Sequence, residues 1–168
     1  MALSVTLTQA QALWFLPAVL PLCLAVAWTD LSRMKIPNWT TDGLALGFVL
    51  LGLFALPAWS DYLWRFAHFG VMLAIGIALN AARVMGAGDS KFLAAAAPYV
   101  ALPDAQLVLF MLGGVMLLGV AVHRTARAIP ALRTLAPDWE SWKQGKRFPL
   151  GFPLGLTLIA YMVLPFVA

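Results

Sequence analysis

Runs of apolar residues, separated by short polar stretches, divide the whole chain into six segments. A helix needs about 20 residues to cross a bilayer, with a range of roughly 17–25. The six runs cover residues 11–29, 41–57, 66–84, 88–103, 105–122 and 149–167. Pro103-Asp104 marks the boundary between the fourth and the fifth. The pattern predicts about six transmembrane helices, with the fourth and fifth forming a tight helical hairpin.

The composition favours a membrane protein over a soluble one. Hydrophobic residues make up 62% of the 168 positions and charged residues only 11%, and the mean hydropathy is +0.88. Soluble domains average about 45–50% apolar and about 25% charged residues. The longest polar stretch, 123–148, leaves no room for a separate soluble domain. We therefore predict one all-α domain over residues 1–168, a polytopic transmembrane helical bundle with a basic loop at 123–148.

The positive charges predict the orientation of the bundle. When the loops are assigned alternately to two sides, one side holds only Arg65, and the other holds Arg33, Lys35, Arg83, Lys91, Arg124, Arg127, Arg133, Lys143, Lys146 and Arg147. Lys and Arg are concentrated in cytoplasmic loops of membrane proteins. Both termini should thus lie outside, with loops 30–40, 84–91 and 123–148 in the cytoplasm. The same rule explains the net charge of +4 without a nucleic-acid partner.

The loop 123–148 combines its cations with Trp139, Trp142 and Phe148. A basic segment with aromatic residues beside a membrane usually lies on anionic lipid, where each cation contributes about 1 kcal/mol. This favours the lipid bilayer as the partner of the loop over a specific binding role.

Two of the seven acidic residues stand at the predicted cytoplasmic edge in distinctive local sequences. Asp89 follows Gly86-Ala87-Gly88, whose glycines allow close approach of another group. Asp30 ends the first apolar run and is followed by Ile36-Pro37-Asn38. Two neighbouring carboxyl groups share a proton because both cannot ionise cheaply. Such a pair suits peptide hydrolysis, since one group takes a proton from water while the other hydrogen-bonds the scissile carbonyl.

Each aspartate also has a plain structural interpretation. Asp89 could cap the helix that follows it, and Asp30 could be a polar helix end at the interface. Asp42 is the one rival carboxylate near the same face.

The neighbouring polar residues have structural interpretations as well. Pro37 should keep Ile36 extended, and Asn38 could cap the second helix. Lys91 is expected as a positive anchor on the cytoplasmic side. Asn80, in the third apolar run, is expected to make an interhelical hydrogen bond.

No residue pattern predicts a metal or a cofactor. Cys23 is the single cysteine, and His68 and His123 fall on opposite predicted faces. A Ser-His-Asp arrangement and a phosphate-binding sequence are also absent.

Two motifs resemble the catalytic signatures of type IV prepilin peptidases. In residues 30–38, an Asp followed by a basic residue and Ile-Pro-Asn resembles the first signature. Residues 86–91 resemble the second, Gly-x-Gly-Asp-x-Lys. A third match lies at 148–155, where the family often has Pro-Tyr-Gly-x-Ala; Leu150 and Pro153 depart from that pattern.

The resemblance implies a membrane aspartyl endopeptidase of the bacterial inner membrane that removes a short basic leader from prepilins at the cytoplasmic face. Asp30 and Asp89 would be the catalytic pair, and the residues that shape the site or contact substrate would be Gly86, Gly88, Lys91, Ile36, Pro37 and Asn38. Larger members carry a Cys-rich segment, which this chain lacks. It therefore resembles the compact members that serve Flp-type (tight-adherence) pili. Methylation of the new amino terminus, which some members perform, stays open, as does the oligomeric state.

Two other functions remain as alternatives. One is a different intramembrane protease of the Gly-x-Gly-Asp type, which cuts signal peptides or other helices. The other is a non-enzymatic membrane transporter or assembly factor. An ion-coupled transporter should show an acidic residue in mid-helix and inverted repeats, and neither is evident in the sequence.

Overall fold

The computed structural model describes residues 5–145 and 147–167, and all regular elements in these two ranges are helical. The predicted all-α fold class is confirmed. The helices are α1 Gln9–Arg33, α2 Asn38–Ala55, α3 Trp59–Ala81, α4 Ala87–Ala96, α5 Ala105–Ala128, α6 Pro130–Arg133, α7 Glu140–Lys143 and α8 Gly151–Val163. Short 3-10 turns cover Ala97–Tyr99, Leu102–Asp104 and Leu164–Phe166.

All six apolar runs form helices, but the helices differ in length. Four are long and apolar enough to cross a membrane, namely α1, α2, α3 and the segment Leu102–Ala128 that contains α5. α4 has 10 residues and α8 has 13, fewer than the prediction assumed. Proline lacks the N–H that an α-helix needs. Pro98 and Pro165 accordingly lie in the 3-10 turns that follow these two helices.

The predicted tight hairpin between the fourth and fifth runs is wrong. Two 3-10 turns, which contain Pro98 and Pro103, separate α4 from α5. α4 packs mainly against α3, whereas α5 packs mainly against α8. Each proline removes a helical hydrogen bond, so the chain leaves α4 in a new direction before α5 begins.

Local signals define both ends of α1, which runs through the whole bundle. Thr8 and Gln11 form a capping box, in which the Gln11 N–H donates to Thr8 Oγ1 (3.2 Å) and the Thr8 N–H donates to Gln11 Oε1 (3.0 Å). At the other end Met34 adopts a left-handed conformation with φ 54°. Its N–H donates to the Asp30 carbonyl at 2.9 Å. The helix therefore ends one turn after Asp30.

The core is built around α1, which packs against both α2 and α8. The Phe15 ring lies 5.0 Å from the Tyr99 ring and 6.0 Å from the Phe48 ring. Within this apolar cluster the Tyr99 hydroxyl donates to the Leu44 carbonyl at 2.7 Å. α1 and α8 approach closely at Gly155, where an added Cβ would lie 2.7 Å from the Cys23 carbonyl oxygen. The core thus fixes α8 against α1.

Most Lys and Arg residues collect at one end of the bundle, here called the basic end. It comprises the carboxyl ends of α1, α3 and α5, the amino ends of α2, α4 and α8, and the segment 129–150. Its described cations are Arg33, Lys35, Arg83, Lys91, Arg124, Arg127, Arg133, Lys143 and Arg147; Lys146 lies outside the described residues. The opposite end, here called the far end, contains Asp104 and the Pro165 carbonyl, which accepts from Gln9 Nε2 at 2.9 Å.

Asp104 is the central polar group of the far end. Its carboxylate accepts hydrogen bonds from the Thr6 N–H (2.9 Å), the Leu7 N–H (3.1 Å) and the Tyr161 hydroxyl (2.7 Å). The residue is only 2% exposed. It joins the segment before α1, the start of α5 and the end of α8, a role that the sequence did not predict.

Replacing Asp104 with Ala should destabilise the fold. The change leaves two buried donors, the Leu7 N–H and the Tyr161 hydroxyl, and the part-buried Thr6 N–H without their partner. Each hydrogen bond to a charged group contributes about 1.5–3 kcal/mol. Because about 1 kcal/mol corresponds to about 2–4 °C in a domain of this size, we expect the thermal unfolding midpoint in detergent to fall by at least about 5 °C. Asp61→Ala is the control, since Asp61 is exposed at the same end. Equal midpoints for the two variants would contradict the anchoring role.

Candidate active site

Asp30 lies in the last turn of α1 and is buried, with 5% of its surface exposed. Its Oδ2 accepts a hydrogen bond of 2.6 Å from the backbone N–H of Gly151, the first residue of α8. The interpretation of Asp30 as a polar helix end at the interface does not account for this burial. Asp30 instead joins α1 to the amino end of α8.

Asp89 is the third residue of α4 and is half-buried. The N-cap position belongs to Gly86 and has no side-chain cap, so the interpretation of Asp89 as the N-cap is wrong. The carboxylate instead lies close to Gly86, where an added Cβ would lie 2.8 Å from Asp89 Oδ2. A glycine at position 86 therefore leaves room for the Asp89 carboxylate.

Ser90 fixes the first turn of α4 against α3. Its Oγ donates to the Gly76 carbonyl (3.0 Å) and to the Gly86 carbonyl (3.1 Å). A Cβ on Gly76 would lie only 2.9 Å from Ser90 Cβ, so α3 and α4 are in close contact here. Ser90 was missed by the sequence prediction, although it lies inside the predicted motif.

Asn80 supports the turn that precedes Gly86. Its Nδ2 donates to the Met85 carbonyl at 3.0 Å. The expected interhelical hydrogen bond of Asn80 is therefore wrong, because this partner lies in the turn after the same helix.

Ile36 connects the two aspartate-bearing segments. A Cβ on Gly88 would lie 3.2 Å from Ile36 Cβ, and a Cβ on Gly151 would lie 2.9 Å from Ile36 Cδ1 and 3.0 Å from Asp30 Oδ2. Gly88 directly precedes Asp89, so Ile36 lies between the Asp30 side chain and the start of the segment that carries Asp89. The structure thus brings Asp30, Asp89 and Ile36 together at the basic end.

Asn38 and Lys91 contact each other at the edge of this site. Lys91 Nζ donates to Asn38 Oδ1 at 3.0 Å. The expected capping role of Asn38 is wrong, since Pro37 holds the N-cap position of α2. Lys91 is more than a positive anchor, because its hydrogen bond links the first turn of α4 to the first turn of α2.

The other acidic residues of the basic end are separate from this pair. Asp42 and Asp138 are exposed. Glu140 forms an ion pair with Lys143, in which Oε1 lies 2.7 Å from Nζ. Asp42, the rival carboxylate in the sequence, is therefore a suitable control for the two candidate catalytic residues.

Burial raises the pKa of Asp89 above its ordinary value, and a hydrogen bond from the Gly86 backbone offsets part of this increase. A carboxyl group with a raised pKa keeps its proton to higher pH. Burial therefore favours the neutral form of Asp89.

Metal ligands do not collect at this site. In residues 5–145 and 147–167, no group of three or more His, Cys, Asp or Glu side chains could hold a metal ion.

The aromatic residues of the basic loop pack against the carboxyl end of α1. The Trp139 ring lies 5.5 Å from the Trp28 ring and 5.3 Å from the Trp142 ring. Beside them Leu135 is 80% exposed. An exposed apolar side chain next to basic residues suits a membrane interface, and contact of this loop with lipid stays a prediction.

A lateral groove of about 460 Å³ opens between α3 and α5. Both helices leave most of their membrane-spanning faces exposed. Between them, the groove is lined by residues of α4 and α8, namely Phe92, Leu93, Ala96, Leu154, Thr157 and Leu158. One wall of this apolar groove is thus the helix that begins near Asp89.

The comparison with known proteins identifies one family. The sequence pattern of the type IV leader peptidase family matches residues 18–122, which is more than half of the chain. The matched range contains both Asp30 and Asp89, and it ends before the segment 148–155. No curated protein and no solved structure matches the chain significantly.

Asp89→Asn should stabilise the protein in a pH-dependent way. A raised pKa means that the folded state loses stability as the pH rises above the ordinary carboxyl value of about 3.9. Because Asn carries no charge, the variant does not lose stability in this way as the pH rises. The unfolding midpoint of the variant, relative to the natural protein, should therefore increase as the pH rises above about 4, and it should become constant above the raised pKa of Asp89. Asp42→Asn is the control, and a pH-independent difference for Asp89→Asn would contradict the burial effect.

Proposed function

The chain belongs to the type IV leader peptidase family, and we propose that it is a membrane aspartyl endopeptidase that removes the basic leader from a type IV prepilin. One observation carries this proposal: Asp30 and Asp89 lie on different helices, yet the turn containing Ile36 contacts both segments. The family supports a protease that acts on leader peptides. The four helices that can cross a membrane support a membrane protein.

The proposed reaction needs two carboxyl groups and one water molecule. The ionised carboxylate takes a proton from water, and the oxygen of that water attacks the carbonyl carbon of the scissile peptide bond. The protonated carboxyl group gives its proton to the carbonyl oxygen. When the tetrahedral intermediate collapses, that proton returns and the C–N bond breaks. The leaving amine takes the proton that came from water, so one water is consumed for each bond cleaved.

We place the basic end in the cytoplasm of a bacterium, with the protein in the inner membrane. The excess of Lys and Arg at that end supports this orientation. The far end, where α1 begins and the 3-10 turn Leu164–Phe166 lies, would then face outward. A prepilin leader would thus reach Asp30 and Asp89 from the cytoplasmic side.

The two alternative functions have less support. A different Gly-x-Gly-Asp protease would use the same aspartates, but residues 30–38 resemble the prepilin peptidase signature. A transporter would need an acidic residue midway along a helix. Asp30 is in the last turn of α1, whereas Asp61 and Asp89 are in the first turns of their helices.

Asp30→Asn and Asp89→Asn should each abolish cleavage of a purified type IV prepilin. Asn keeps the size of the side chain but can neither take nor give the required proton. General acid–base groups typically contribute about 10²–10⁴-fold to the rate, and we expect a loss in this range or greater. The assay is leader removal in detergent or liposomes, followed by gel mobility and mass spectrometry.

Asp42→Asn is the matched control, since it removes an exposed carboxylate from the same end and should keep full activity. The amount of folded protein is compared for all three variants. Normal cleavage by a well-folded Asp30→Asn or Asp89→Asn would refute the proposed mechanism.

The substrate class can be tested with three precursors presented at equal concentration. We expect the highest kcat/KM for a short Flp-type prepilin, a lower value for a longer type IV prepilin and no cleavage of a secretory signal peptide. Preferred cleavage of the signal peptide would favour the other intramembrane protease. The mass of the processed prepilin shows in the same experiment whether its new amino terminus is methylated.

A further inference from the structure

The amino end of α8 contributes a backbone donor to the candidate site. Gly151 is the first residue of α8, and its N–H lies 2.6 Å from Asp30 Oδ2. The first N–H groups of a helix have no partner within the helix and carry a partial positive charge. In this site that donor meets a carboxylate that is 5% exposed. The residue lies outside the range 18–122 that the family pattern matches.

A side chain at position 151 would have to displace Ile36 or Asp30. An added Cβ would lie 2.9 Å from Ile36 Cδ1 and 3.0 Å from Asp30 Oδ2. Ile36 in turn lies against Gly88, the residue before Asp89. A methyl group at position 151 would therefore push against both the Asp30 carboxylate and the Ile36 side chain.

The position of α8 along α1 is fixed independently of the site. One turn further along α8, Gly155 packs on the Cys23 carbonyl oxygen, from which an added Cβ would be 2.7 Å away. Thr157 and Leu158 continue the buried face of the helix. The packing of α8 on α1 therefore fixes the position of the Gly151 N–H relative to Asp30. Precise orientation of a reacting group requires such a fixed partner.

We propose that Gly151 is a positioning residue for catalysis, whose backbone N–H holds the Asp30 carboxylate in the orientation that lets it act together with Asp89. This inference rests on the proposed function, because it assumes that Asp30 and Asp89 are the catalytic pair. The donor also stabilises the charged form of Asp30, the form that can accept a proton from water.

The test compares Gly151→Ala with Gly47→Ala in the detergent-solubilised full chain. Both variants add one methyl group to a close contact of α1, with α8 at Gly151 and with α2 at Gly47, where an added Cβ would lie 2.9 Å from Ala18 Cβ. Both should therefore lower the unfolding midpoint. Only Gly151→Ala displaces Asp30 from its donor. For this variant we expect kcat to fall by about 10–100-fold with little change in KM, and the acidic limb of the pH profile to move up by about one unit.

Gly47→Ala should keep the pH profile of the natural protein once activity is divided by the amount of folded enzyme. Gly145→Ala is a second control, because an added Cβ there meets nothing within 4 Å. It should change neither stability nor activity. A purely structural role for Gly151 would lower the activity of Gly151→Ala without moving its pH profile, and that result would overturn the inference.

If Gly151→Ala fails to fold, the double variant Ile36→Ala/Gly151→Ala makes room for the new methyl group and is measured against Ile36→Ala alone. The double variant must then show the shifted acidic limb, and an unshifted limb refutes the positioning role. An incorrect proposed function would give a different result. Asp30→Asn and Asp89→Asn would then still cleave the prepilin, independently of the result for Gly151→Ala.

Discussion

The hydrogen bond between the Gly151 N–H and the Asp30 carboxylate joins residues that are 121 positions apart, and the arrangement of the candidate site depends on it. It connects the longest helix of the core to the last helix of the bundle. α8 also packs closely on α1 at Gly155, where an added Cβ would lie 2.7 Å from the Cys23 carbonyl oxygen. The turn containing Ile36 fits between the Gly151–Asp30 pair and Gly88. Removal of any one of these contacts would loosen the other two.

The sequence predicts the helices well where hydrophobicity alone determines them. The run 11–29 predicts α1, which extends over Gln9–Arg33 once its caps are included. The third run predicts residues 66–84, whereas α3 begins at Trp59. The first two turns of α3 contain Asp61 and Arg65, and a hydropathy pattern assigns such charged residues to a loop. In the fold the Arg65 guanidinium is buried and donates to the Pro98 carbonyl at 3.0 Å, so a charged residue continues the helix.

The sequence says much less about which helices pack together. The hairpin of α4 and α5 was predicted from their adjacency, but contacts between distant segments determine the packing, and α5 packs mainly against α8. The candidate site shows the same limit. The motifs identify Asp30, Asp89 and their glycines, because these residues are unusual at a membrane edge. They do not identify Ser90 or Gly151 as supports, since a hydroxyl and a glycine amide acquire their roles only through partners on other helices.

The groove between α3 and α5 leaves part of α4 open to the surroundings of the protein. In a bilayer, hydrocarbon tails of lipid would fill the opening and touch Phe92, Leu93 and Ala96 of α4. The lipid would then act as a packing partner of the short helix that bears Asp89, where a soluble enzyme would use another layer of protein. Tail length and saturation, or the detergent that replaces the tails during purification, would thus bear directly on the mobility of that helix.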